Sequence, residues 1–162
     1  MDEIVFGGKV VNGRGGHAEL FVPGRSNLSD APDDWPEKLY PGSLNVLIAN
    51  WPEPLADRNL EPSAKSLDNA GFTPALTIPQ SKMGNNKLMP TSAMPHRGTA
   101  QIWRSILHVN EQEISCWVLR RFGSGLSLEL EIVSEFGLRG KLGLSRETEW
   151  PAWVHMFGEW RA

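Results

Sequence analysis

Between residues 99 and 134 the chain is built almost wholly from strand signals. Residues 99–109 and 113–122 are rich in β-branched and aromatic side chains, and only Asn110-Glu111-Gln112 separates them. That spacing reads as a β-hairpin. After a Gly123-Ser124-Gly125 turn, residues 126–134 alternate. Leu128, Leu130 and Ile132 fall on one face, and Glu129, Glu131 and Val133 on the other, because successive strand side chains point to opposite sides.

Further strand signals lie at 3–11, 17–22, 43–49, 72–78 and 149–157. Gly7 and Gly8 interrupt the first, as at a bulge. Pro74 breaks 72–78, and Pro151 sits near the start of 149–157. The helical signals are short. Ser63 caps a candidate at 63–69, with Gly71 past its end, and 136–142 is bounded by Gly143. Many short strands with few short helices predict a mainly β, single-domain barrel rather than an α/β sheet. The 162 residues suit one domain. Residues 51–97 read as a poorly ordered or inserted excursion, and 79–97 form a long loop rich in Pro, Met, Asn and Ser.

The net charge of −3 offers no global basic field and argues against a nucleic-acid partner. Cys116 is the only cysteine, which excludes an internal disulfide and a cysteine zinc site. No run of about 18 apolar residues is present, so no membrane span is expected. The N-terminus lacks the basic and apolar regions of a secretory signal, and a cytoplasmic location is expected.

Two turns carry possible chemistry. Pro41-Gly42 leads into Ser43-Leu44-Asn45-Val46, which sets the Ser43 and Asn45 side chains on one strand face. Their neutral oxygens suit a hydrated Mg²⁺ carrying phosphates. Gly13-Arg14-Gly15-Gly16 lies between two strands, so it is neither a Rossmann nor a Walker turn. Its backbone N–H groups and Arg14 still suit a phosphate. His17, His96, His108 and His155 show no metal-ligand spacing. Trp103-Arg104 and Arg120-Arg121 read as solvated strand edges, and Glu129 as a solvated carboxylate. Glu131 stands out because Ile132-Val133 and then Leu138-Arg139 follow it.

Taken together, three segments resemble the archaeal CTP-dependent riboflavin kinases. They are Val10-Val11-Asn12-Gly13-Arg14-Gly15-Gly16, Leu39-Tyr40-Pro41-Gly42-Ser43-Leu44-Asn45-Val46, and Glu131-Ile132-Val133-Ser134 with Leu138-Arg139-Gly140-Lys141-Leu142-Gly143-Leu144. The resemblance covers both ends of the chain and fades over 51–97. It implies a six-stranded cradle-loop barrel that transfers the γ-phosphate of CTP to riboflavin, giving FMN and CDP. It further implies that Ser43 and Asn45 hold Mg²⁺, that Gly13, Arg14, Gly15 and Gly16 follow the phosphates, that Leu138 and Arg139 lie near the nucleotide, and that Glu131 lies near the flavin. His17 stands where the family has a third glycine, and Ser43 replaces its threonine. The family's flavin-side threonine corresponds to Gly123, so that hydroxyl is displaced to Ser124 or missing. The alternative reading is a non-catalytic barrel that binds a nucleotide or flavin, or serves as an interaction module.

Overall fold

The computed structural model describes residues 1–12, 22–83 and 98–161. Six long strands close an antiparallel barrel in the order β8-β1-β2-β7-β6-β5, with β5 returning to β8. They are β1 (Asp2–Val11), β2 (Leu44–Asn50), β5 (Ala100–Val109), β6 (Gln112–Arg121), β7 (Glu129–Val133) and β8 (Pro151–Trp160). Two short strands extend it: β3 (Phe72–Thr73) pairs with β8, and β4 (Leu76–Ile78) with β5. Among the described residues the α-helices are α1 (Glu53–Ala56) and α2 (Leu138–Leu142), and neither is long enough to cross a membrane. The mainly β barrel expected from the short alternating segments is therefore the fold. The expected strand at 17–22 lies, except for Val22, outside the described residues.

Alternation divides each strand between two apolar layers. Val10, Leu44, Val46, Ile48, Trp103, Leu107, Val118, Leu130, Ile132, Val154 and Met156 point into the barrel and form its core. Leu55, Leu67, Phe72, Leu138, Leu142 and Leu144 pack into the same cluster. Ala100, Ile102, Trp117, Leu119 and Val133 point outward, and chain from 22–41 and 76–83 roofs them. Trp35 anchors that roof: it is fully buried, meets Trp117 edge-on at 5.0 Å, and donates its indole N–H to Pro23 O at 3.0 Å. Arg104 clamps the outside through a two-point bond to Asp34, at 2.7 and 2.9 Å.

Local chemistry explains the joints. Asn110 and Glu111 both take positive φ, as a two-residue β5–β6 hairpin turn demands. The β1–β2 register jumps from Gly7↔Asn50 to Gly8↔Ile48, so Ala49 is the extra residue of a bulge. A Cβ on Gly8 would stand 1.9 Å from Leu47 O, which explains why glycine occupies that position. Pro151 is the first residue of β8, a place where a strand tolerates proline.

Candidate functional site

The Pro41-Gly42 turn, with Gly42 at φ 88°, delivers the chain into β2. Register then sets Val11, Asn45, Glu131 and Leu119 in one row across β1, β2, β7 and β6. Leu47 and Glu129 form the next row of the β2–β7 seam. Because Leu44, Val46, Leu130 and Ile132 fill the barrel, Ser43, Asn45, Glu129 and Glu131 share its outer face.

These side chains are joined. Ser43 Oγ donates to Asn45 Oδ1 at 3.0 Å, and Asn45 Nδ2 donates to Glu129 Oε1 at 3.0 Å. Asn45 is 1 % exposed and Glu131 7 %. Burial pushes the Glu131 carboxyl up from its ordinary 4.5 to about 7. Arg120 and Arg121 pull it down, the Glu129 charge pushes it further up, and hydrogen bonding to Ser43 opposes the rise.

Both arginines are buried, contrary to their reading as solvated strand edges. Arg120 points to the barrel end, where it binds Asp68 at 2.8 and 3.2 Å and the carbonyls of Leu126 and Ser124 at 2.7 and 2.9 Å. Arg121 emerges on the outer face and donates to Gly98 O at 3.2 Å; burial lowers its pKa while Glu131 raises it. Trp103 is likewise buried in the core, and Glu129 is a half-buried acceptor rather than a solvated carboxylate. Nothing in the local sequence pointed to Asp68, which lies 52 positions before Arg120. The one readable signal was two arginines directly after the apolar run Cys116-Trp117-Val118-Leu119.

Gly13, Arg14, Gly15 and Gly16 lie outside the described residues, but the base of their turn does not. Arg139 Nη2 donates to Val11 O at 3.2 Å and to Asn12 Oδ1 at 3.0 Å. Its Nη1 is buried without a hydrogen-bond partner among the described residues, and burial, followed by the charge of Arg146, lowers its pKa. The Leu138 side chain belongs to the core. Ser124 Oγ accepts from Leu126 N at 3.2 Å, and its carbonyl accepts from Arg120. Cys116 is buried, and burial pushes its thiol up to about 12.

Mg²⁺ prefers hard oxygen ligands. Ser43, Asn45, Glu129 and Glu131 carry such oxygens on one face, with Ser43 Oγ and Asn45 Oδ1 hydrogen-bonded to each other at 3.0 Å. No protein-family model and no curated protein matches this chain.

Proposed function

We propose that this barrel binds a nucleoside triphosphate with Mg²⁺ and transfers its terminal phosphate to an alcohol, with CTP the first donor and riboflavin the first acceptor to test. The observation that carries the reading is the Val11–Asn45–Glu131 row. It brings the base of the glycine turn, the Ser43/Asn45 oxygen pair and a buried carboxylate side by side from three distant parts of the chain. The Nη1 of Arg139, buried with no hydrogen-bond partner among the described residues, adds a cationic donor suited to a phosphate oxygen.

Ser43 and Asn45 would hold the metal, which supplies charge neutralisation on the phosphates. Arg139 would bind phosphate oxygens from the side of the turn. In the transfer, the acceptor oxygen bonds to the terminal phosphorus, and the bond from that phosphorus to the bridging oxygen breaks. The nucleoside diphosphate leaves with the bonding pair. Glu131, ionised above about pH 7, takes the proton of the acceptor hydroxyl.

A thermal-shift titration tests the binding. CTP with Mg²⁺ at 100 times its dissociation constant adds about 2.7 kcal/mol of apparent stability, and Asn45→Ala abolishes the shift. No shift with any nucleotide rejects the phosphate site. The second reading, a barrel that binds without transfer, draws on Ser124, whose hydroxyl is already engaged by Leu126 N. Formation of FMN and CDP from riboflavin and CTP decides for transfer; saturated binding without product decides for the second reading.

A further inference from the structure

On the opposite side of the barrel, four side chains form a row across four adjacent strands. They are Glu113 on β6, His108 on β5, His155 on β8 and Glu3 on β1. His108 Nδ1 is 3.4 Å from Glu113 Oε2, and His155 Nδ1 is 3.0 Å from Glu3 Oε1. The two imidazoles are diagonal neighbours, since His108 pairs with Trp153 and Ile106 with His155. Their ring centres are 4.6 Å apart and their planes are tilted by 59°.

The order of the strands gives this row its meaning. The carboxylates stand on the two outer flanks, and the histidines lie between them. The two nitrogens of an imidazole face away from each other across the ring, and the bond made by one sets the role of the other. Each Nδ1 faces its own carboxylate, so each Nε2 is the ring nitrogen that no carboxylate holds. Both side chains remain accessible, at 38 % and 30 % exposure.

An imidazole that binds a metal almost always gives its other ring N–H to a carboxylate or carbonyl. Here His155 has that hydrogen-bond partner in Glu3, and the neighbouring His108 has the Glu113 carboxylate 3.4 Å from its Nδ1. We propose that His108 and His155 form a second metal site, which takes a borderline divalent cation of the zinc type through both Nε2 atoms. Glu113 and Glu3 orient the rings. Among the described residues no group of three or more His, Cys, Asp or Glu clusters to hold one ion. The two imidazoles would be the protein ligands of such an open site, and water would complete the coordination. It is chemically distinct from the Ser43/Asn45 pair, because imidazole nitrogen prefers zinc, copper or nickel to magnesium.

The test is a calorimetric titration of the full chain with ZnCl₂ in excess Mg²⁺, beside NMR of the imidazole Cε1–H resonances. The expected result is one Zn²⁺ per chain, with the His108 and His155 resonances shifting together and Mg²⁺ not competing. His108→Gln and His155→Gln each weaken binding at least tenfold. Glu3→Ala weakens it about tenfold, as loss of an outer partner does. The His17→Gln/His96→Gln double variant binds as the parent does. The proposal is overturned if the parent takes up no Zn²⁺, if the resonances of His17 or His96 shift instead, or if single His108 and His155 variants retain parental affinity. The NMR readout needs no variant, so it stands even where a substitution disturbs folding.

Discussion

Asn45 sits directly opposite Glu131 across the β2–β7 seam, and its side-chain amide donates to Glu129 on the same outer face. One nearly inaccessible amide thus links a hydroxyl, Ser43, to a carboxylate beside a second carboxylate. In a low-dielectric setting such a network is costly when any member loses its partner.

Asn45→Ala removes both bonds at once and leaves the Ser43 hydroxyl and Glu129 carboxylate without this partner. The expected cost is about 1–3 kcal/mol. Urea unfolding reads it as a lower midpoint at unchanged slope.

Glu131 makes stability depend on pH. The folded protein retains its proton up to about pH 7, whereas the unfolded chain loses it near 4.5. Between these values the folded state holds more protons, so this contribution is complete below 4.5, declines as pH rises through the window, and is gone above about 7. Its size is on the order of 3 kcal/mol. Unfolding free energies of the parent and Glu131→Gln, measured from pH 4 to 8, should diverge in slope within this window. Parallel curves would show that Glu131 does not titrate there.

Asp68→Ala should be among the most damaging changes away from the apolar core. It leaves the Arg120 guanidinium buried and also removes the acceptor of Gly123 N–H at 3.1 Å. Breaking a buried pair from one side costs about 3–5 kcal/mol. Replacing both residues by apolar ones should recover much of that loss in the same denaturation assay.

Gly8→Ala forces a Cβ against the backbone oxygen of Leu47, with no flexible side chain able to yield. A cost of about 3 kcal/mol is expected from overpacking at the bulge. Gly140→Ala, where no heavy atom lies within 4 Å, is the control that should leave the thermal midpoint nearly unchanged.

Strand alternation made the barrel legible, and so did the faces of β7. Leu130 and Ile132 do point inward while Glu129 and Glu131 point outward. Turn chemistry was legible too: Gly143 ends α2 in the left-handed region, and Pro74 separates β3 from β4. The roof was not. Residues 22–41 carry the loop signals of proline, glycine and aspartate, and it is the packing of Val22, Trp35 and Leu39 in three dimensions that makes them a second layer. That layer is why an outer strand face is buried at all, so the burial of Arg121 and Glu131 could not be read from their own strands. Asp68 was hidden for a related reason, since an ion pair formed by chain folding leaves no periodic trace.

The closure of the barrel has a consequence for how copies of this molecule meet. β5 gives its 105–109 stretch to β8 and its 100–102 stretch to β4, while β8 gives 152–156 to β5 and 159–160 to β3. The shear that would leave two long strands half unpaired is thus capped by strands of two and three residues. Exposed backbone edges are what templates strand addition between chains. Among the described residues, a neighbouring molecule meets these short caps along β5 and β8, which offer little foothold for intermolecular sheet growth.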